Sequence, residues 1–258
     1  MKNKNLLGGT LAIVAALLGI IGHPAIFLNW YQIGLHTPNA QPGCEIMLRY
    51  MHPLMTDFGI LGGVLFAVSA FGFFMKKKWA FTLSVFAIIL ALLASWFINV
   101  PYMEANLPPV YMILFVPYLI LYFLFMISVG QLSWSRTLLA MFTGLAYILC
   151  FMNGVASTAR MAIVGAPVYT MVERLNWVAM IGWGVATAGI LLAPKEWNLV
   201  LGITAALLEI VVGIPLGIAD SQLLGHFSLF AAAPIFCLAL LVVLVWPGLW
   251  QRWTGAKS

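Results

Sequence analysis

Sulfur-containing side chains and a histidine recur at helical spacing in the first long hydrophilic stretch of the chain. If this stretch is helical, Cys44, Met51 and Met55 share one face, because they are seven and four residues apart. Thiolate and thioether sulfur atoms suit Cu(I), and histidine with methionine also ligates haem iron. The alternative is core packing, which is the commoner role of methionine. The spacing predicts a metal site formed by His52, Met51, Met55 and Cys44.

Three of the four histidines fall near the ends of apolar segments that share one predicted side of a membrane. They are His23, His52 and His226. Neutral imidazole is a common metal ligand and titrates near neutral pH, so this layer predicts a cofactor site for haem b, copper or a quinone. If the cofactor is a single haem, the preferred pair of ligands is His52 with His226, and His23 is the alternative partner. The other interpretation is that each histidine only forms hydrogen bonds at the membrane interface.

One carboxylate, Glu209, lies near the middle of an apolar segment. An ionised carboxylate is expensive inside a bilayer, so Glu209 is expected to face the protein interior and to be protonated or paired. Gly213, Pro215 and Gly217 follow it and predict a loosened helix with freed carbonyl groups. With Asp57, Glu209 would then form a proton or ion pathway. The structural alternative is a protonated glutamate bonded to a neighbouring helix beside a proline kink.

Composition decides what kind of protein must position these side chains. Of 258 residues, 64% are hydrophobic and 7% are charged, and the mean hydropathy of +1.05 excludes an average water-soluble globule. Eight apolar stretches approach the roughly 20 residues that a helix needs to cross a bilayer. They are residues 6–28, 56–75, 79–99, 109–130, 136–155, 174–193, 197–219 and 228–248. We predict an all-α integral membrane protein, an eight-transmembrane-helix bundle in one polytopic domain of residues 1–258.

The lysines and arginines are distributed unevenly between the predicted connections. If the chain crosses eight times, nine fall on one side and three on the other. The nine are Lys2, Lys4, Lys76, Lys77, Lys78, Arg136, Lys195, Arg252 and Lys257, and the three are Arg49, Arg160 and Arg174. The positive-inside rule then makes both termini cytoplasmic in a multi-pass protein of the cytoplasmic (inner) membrane. The net charge of +5 is explained by this topology and by anionic lipid, without a nucleic-acid partner.

Aromatic residues near the predicted helix ends support this orientation. Trp79 and Trp197 lie at predicted inner ends, and Trp30, Tyr102 and Trp177 lie at predicted outer ends. Tryptophan and tyrosine favour the headgroup region because their rings carry both apolar and polar parts. Tyr102 is therefore expected at the membrane interface.

The two halves of the chain repeat the same landmarks. Trp79 and Trp197 each open a predicted helix after a lysine-containing turn. The next predicted helix in each half contains a proline, Pro117 or Pro234, at nearly the same distance. Because four helices return the chain to its starting side, the halves would be parallel repeats. The predicted repeats are residues 1–130 and 131–258.

A parallel four-plus-four plan with histidines on the outer side resembles the architecture of haem A synthases. The resemblance covers helix number and sidedness. The predicted fourth and sixth helices begin at Pro108-Pro109 and at Glu173-Arg174, with no histidine there. No ligand role is therefore transferred to residues of this chain.

These features predict a membrane-embedded redox or cofactor-binding subunit with a haem, copper or quinone site near the outer leaflet. Two alternatives are a proton-coupled secondary transporter centred on Glu209 and a non-catalytic scaffold subunit. The chain contains no Walker loop, dinucleotide-binding glycine motif, HExxH or GxSxG sequence, which disfavours the cofactor chemistry of soluble enzymes. Whether the chain is an enzyme stays open. The expected partners are the lipid bilayer, a quinone and other membrane subunits.

Overall fold

Apolar runs without the period-two alternation of strands form helices along the chain. The computed structural model describes residues 2–37, 44–163, 165 and 167–255. All regular secondary structure within those ranges is helical. Seven of the described helical segments are long and apolar enough to cross a membrane. They are Lys4–His36, Glu45–Phe74, Trp79–Glu104, Met112–Val129, Trp134–Ile163, Arg174–Leu192 and Glu196–Leu224.

These segments confirm the prediction of an all-α membrane protein, whereas the eighth predicted span, 228–248, is shorter than expected. Its apolar helical stretch is Leu229–Val245. Before it, Gly225 adopts a φ of 71° and ends the preceding helix. After it, Trp246 is extended in front of Pro247. A residue that precedes proline disfavours the helical region, so the stretch ends there.

The chain divides into two compact units, Met1–Leu132 and Ser133–Ser258. The boundary between the predicted repeats, 1–130 and 131–258, lies two residues before this division in the sequence. The repeat relationship itself stays a prediction.

The first unit begins with a helical span that changes geometry once. α1 (Lys2–Leu17) continues into a π-helical turn, Leu18–Gly22, and then into α2 (His23–His36). Pro24 has no amide hydrogen, so the carbonyl group four residues before it loses its usual donor in this wide turn. Such π-helical turns occur frequently at functional sites, and α2 starts with a histidine directly after this one.

The predicted metal-ligand segment of the first unit is helical throughout. The remaining elements of this unit are α3 (Cys44–Phe74), α4 (Trp79–Phe97), α5 (Asn99–Glu104), α6 (Met112–Phe123) and a π-helical segment, Leu124–Val129. α3 begins twelve residues before the predicted span 56–75 and continues through Pro53. The π-helical turn Leu18–Gly22 and α3 approach closely, since a Cβ atom on Gly19 would lie 2.6 Å from the Cα atom of Gly63.

The second unit is built from two long hairpins and short terminal elements. It contains α7 (Trp134–Ile163), α8 (Pro167–Leu192), α9 (Glu196–Leu224), a 3₁₀ turn (Leu229–Ala231), α10 (Ala232–Val245) and α11 (Leu249–Thr254). The predicted loosening after Glu209 does not interrupt the helix, because α9 runs through Pro215 without a break. Pro215 has no amide hydrogen, so the carbonyl group of Val211 still lacks its usual donor. Proline keeps a helical φ, and the flanking Gly213 and Gly217 pack closely against the next helical stretch.

Candidate functional site

A group of buried ring side chains lies in the first unit and is here called the imidazole cluster. It consists of His23, His52, Tyr102, Tyr111 and Tyr118, all 0% exposed. The two histidines come from α2 and α3, and the tyrosines come from α5, from the turn before α6 and from α6. On α3, His52, Thr56 and Gly59 are four and three residues apart, so one helix face points all three positions at the cluster.

The ring of His52 is held from two sides by hydrogen bonds. Its Nε2 atom lies 2.9 Å from the hydroxyl oxygen of Tyr111, and its Nδ1 atom lies 3.3 Å from that of Tyr102. The rings of Phe27 and Tyr31 pack edge-on against it, with centroid distances of 5.0 and 5.5 Å. Both nitrogen atoms of His52 are therefore occupied.

These contacts assign the tautomer of His52. Tyr102 donates its proton to the carbonyl oxygen of Trp30 at 2.8 Å, so its hydroxyl oxygen can only accept from Nδ1–H of His52. Nε2 then carries the lone pair and accepts from Tyr111, whose phenol is protonated at neutral pH. Thr56 donates to the carbonyl oxygen of His52 at 3.0 Å. We infer a neutral His52 with its proton on Nδ1.

His23 has a different environment, because neither of its ring nitrogen atoms has a hydrogen-bond partner within the part of the chain that the structure describes. The ring packs directly on Gly59, where any Cβ atom would collide with it. The rings of Tyr111 and Tyr118 lie 5.4 and 6.3 Å away, centroid to centroid. A buried polar group without a partner is costly, so His23 is the least satisfied side chain of the imidazole cluster.

The other predicted metal ligands are only partly gathered. Met55 is fully buried on α3, one turn before Gly59, and Met51 is half-buried. Cys44 is the first residue of α3, and its side chain lies outside the described part of the structure. Among the described residues, no three side chains of histidine, cysteine, aspartate or glutamate form a metal-binding group.

Two further predicted residues are exposed. His226 belongs to the second unit, follows the end of α9, and has its Nδ1 atom 3.1 Å from the carbonyl oxygen of Phe227. Its partnership with His52 or His23 stays a prediction. Asp57 is exposed on α3. It follows Thr56, which lies on the helix face directed at the imidazole cluster.

The second unit buries acids instead of imidazoles. We call Asn153, Arg160, Tyr169, Glu209, Asp220 and Ser228 the carboxylate cluster. Glu209 is 0% exposed, and its Oε1 atom accepts a hydrogen bond of 2.7 Å from Nδ2 of Asn153. The same amide group contacts the carbonyl oxygen of Phe230 at 3.1 Å, and the thiol of Cys150 lies beside the Glu209 carboxyl group. Gly213 leaves the space for this carboxyl group, since a Cβ atom there would lie 2.7 Å from Oε1.

About three helical turns beyond Glu209 on α9, the carboxylate cluster contains an ion pair. Nε of Arg160 lies 2.9 Å from Oδ1 of Asp220, and the side chains are 2% and 1% exposed. Ser228 donates to Oδ2 of Asp220 at 2.6 Å, and Tyr169 donates to Oδ1 at 3.2 Å. Burial and then the charge of Asp220 raise the pKa of Tyr169 to about 12, so this phenol stays a donor.

Several members of both clusters were absent from the predicted site. Tyr102, expected at the membrane interface, is fully buried with both sides of its hydroxyl group bonded. Tyr111 and Tyr118 gave no sequence signal apart from being tyrosines in or beside an apolar segment. Arg160 and Asp220 are charged residues near predicted helix ends on the same side, and the sequence did not show which arginine pairs with which acid across 60 positions.

No protein-family model, curated protein or solved structure matches this chain. Its function is therefore inferred from the chemistry of the two clusters. The imidazole cluster contains a buried imidazole, His23, whose ring nitrogen atoms have no partner in the described part of the chain. The carboxylate cluster presents a buried acid that is hydrogen-bonded across helices.

Proposed function

We propose that this protein is a membrane-embedded redox or cofactor-binding subunit whose ligand site is the imidazole cluster. The observation that carries the proposal is His23, which is 0% exposed and has no partner for either ring nitrogen among the described residues. His52 and Tyr111 stand next to it and form a hydrogen-bonded pair. A ligand that bonds to His23 would relieve the cost of burying that imidazole.

The chemistry of the cluster favours a quinone over haem b or copper. A haem held by two histidines needs a lone pair from each, and His52 would have to give up its bond of 2.9 Å to Tyr111. Copper held by His52 meets the same obstacle, although His23 and Met55 retain their lone pairs. A quinone carbonyl oxygen needs a single N–H donor, which His23 provides with His52 left undisturbed.

The proposal includes eight membrane crossings with both termini in the cytoplasm of the cell that makes the protein. The division of lysines and arginines, nine against three, supports it. In this orientation Leu229–Val245 completes the last crossing, and His23 and His52 lie toward the outer leaflet of the cytoplasmic membrane. Electrons would come from other membrane subunits.

The test is to identify what the purified protein holds. We expect an organic extract of the detergent-solubilised protein to contain a quinone, and the dithionite-reduced spectrum to lack a haem Soret shift. His23→Ala is expected to lose the quinone because the variant removes the unpaired donor. His36→Ala is the matched control, since His36 is an exposed histidine of the same unit. An extract without quinone, together with a metal-free and colourless protein, would overturn the proposal.

A second candidate function is a proton-coupled secondary transporter centred on Glu209. The favouring observation is that this acid is fully buried in the middle of a membrane-spanning helix and bonded to Asn153 of another helix. Buried ionisable residues in membrane helices commonly serve ion or proton movement.

Proton movement into proteoliposomes tests this candidate without knowledge of the substrate. A pH-sensitive dye inside the vesicles should report proton uptake driven by a membrane potential, and Glu209→Gln should abolish it. Glu196→Gln, an exposed acid at the start of the same helix, is the matched control. Equal uptake in wild type and Glu209→Gln would remove this candidate.

A further inference from the structure

Asn176 is the most unusual polar side chain of the second unit that neither function has used. It lies on α8, is 0% exposed, and has no partner for its amide oxygen or its amide nitrogen among the described residues. An amide offers two donors and two acceptor positions, so leaving all of them unmade inside an apolar unit is costly. Asn176 therefore points to a molecule or ion that satisfies it.

Contacts between α8 and α9 fix the level at which Asn176 lies. Val172 of α8 packs with Val212 of α9, and further along α8 a Cβ atom on Gly182 would lie 3.1 Å from that of Ala205. Asn176 lies between Val172 and Gly182 on α8. The part of the antiparallel α9 at the same height as Asn176 therefore lies between Val212 and Ala205.

Glu209 occupies that level of α9, and contacts with α7 lead to the same placement. Asn153 of α7 donates to Glu209 at 2.7 Å. The next residue, Gly154, packs against Trp177, since a Cβ atom on Gly154 would lie 3.1 Å from the indole ring. Trp177 is the immediate neighbour of Asn176. Both registers thus bring Asn176 to the layer of the Glu209 and Asn153 pair.

Two more polar atoms in or next to this layer lack partners. The hydroxyl group of Ser157, one turn after Asn153 on α7, is buried without a partner among the described residues. The Oε2 atom of Glu209 likewise has no nitrogen or oxygen partner there. Three neighbouring helices therefore each contribute an unsatisfied oxygen atom at similar depth.

We propose that Glu209, Asn176 and Ser157 line a binding site for a monovalent cation, with Na⁺ as the expected ion. Carboxylate, amide and hydroxyl oxygens are hard ligands that suit such ions. A single carboxylate balances one positive charge, whereas a divalent ion would leave an uncompensated charge and an anion would be repelled. A proton alone would neutralise Glu209 and leave Asn176 and Ser157 unsatisfied. The inference rests on the part of the second candidate function that makes Glu209 an ion-pathway residue, and it replaces the proton by Na⁺ as the bound ion.

Binding of radioactive sodium to the full-length, detergent-solubilised protein tests the proposal directly. We expect saturable binding that unlabelled Na⁺ displaces and choline does not. Asn176→Ala and Glu209→Gln should weaken it by about tenfold, the effect of about 1.4 kcal/mol of lost binding free energy. Ser157→Ala removes only a hydroxyl oxygen, so it provides a variant that keeps its fold and is also expected to bind more weakly.

Asn198→Ala is the matched control. Asn198 is a buried asparagine of the same unit at the start of α9, and it accepts a hydrogen bond from the amide of Lys195 at 2.8 Å. Its replacement should leave sodium binding unchanged. No saturable binding to the wild type, or equal binding by wild type and Ser157→Ala, would overturn the proposal.

The outcomes separate this site from the transporter candidate. Sodium binding without proton movement dependent on Glu209 would retain the site and remove proton-coupled transport. Proton movement dependent on Glu209 without sodium binding would retain the transporter and overturn the cation site.

Discussion

The two units bury polar side chains by different means. In the first unit the imidazole cluster consists of neutral groups, and its hydroxyl groups donate to one ring nitrogen and to backbone carbonyl oxygens. In the second unit the carboxylate cluster contains Arg160 and Asp220, paired at 2.9 Å. Buried charges need a close partner and further hydrogen bonds, whereas a neutral ring can stay unpaired at a smaller cost.

The two clusters also differ in how well their polar atoms are hydrogen-bonded within the described part of the chain. Asp220 receives hydrogen bonds from Arg160, Ser228 and Tyr169, so both of its oxygen atoms are hydrogen-bonded. His23 receives none among the described residues. The strongest network of the second unit therefore stabilises the fold, and the least satisfied ring of the first unit is the better candidate for binding a ligand.

Charge pairing distinguishes the second unit, so we expect replacement of Asp220 to cause the largest loss of stability. Asp220→Ala removes the counter-charge of a buried arginine, and we expect the free energy of unfolding to fall by about 3–5 kcal/mol. Denaturation in mixed detergent micelles would measure it. Asp57→Ala, which changes an exposed acid of the first unit, should stay within about 0.5 kcal/mol of wild type.

The double variant Arg160→Leu with Asp220→Leu sharpens this comparison. Replacing both charges by apolar groups removes the unpaired charge, so it should recover part of the loss seen for Asp220→Ala. A double variant that is less stable than Asp220→Ala would contradict the ion pair as the cause.

The next effect concerns the space beside His23. Gly59→Ala places a methyl group against the imidazole ring, and we expect a destabilisation of about 1–3 kcal/mol together with loss of the bound quinone. Gly62→Ala, on the same helix, meets its nearest atom at 3.4 Å and serves as the control. If the two alanine variants unfold at the same denaturant concentration, close packing of His23 on α3 is not a constraint.

Hydropathy alone was sufficient to predict the helical membrane fold, because spanning helices need long apolar runs and little else. It failed at the last span, where Pro247 and Gly225 shorten the helix. It also misplaced the start of α3, because this helix begins in a hydrophilic stretch and accommodates Pro53.

The candidate sites were predicted less evenly. His23, His52 and Glu209 stood out because each is a titratable residue in or near an apolar run. Tyr102 did not, since tyrosine near a helix end is equally well explained by an interfacial position. The bond between His52 and Tyr111 joins residues 59 positions apart, and one sequence carries no information about which distant helices are neighbours.

The smallest effect compares one hydroxyl group from each unit. Tyr111→Phe leaves Nε2 of His52 without its donor, and we expect a loss of about 1–2 kcal/mol in unfolding free energy. Tyr169→Phe removes a bond of 3.2 Å from Asp220, which keeps Arg160 and Ser228, so about 0.5–1 kcal/mol is expected. Denaturation of both variants side by side gives the order. A larger loss for Tyr169→Phe would mean that the ion pair depends on the phenol, and that the carboxylate cluster is less saturated than its geometry indicates.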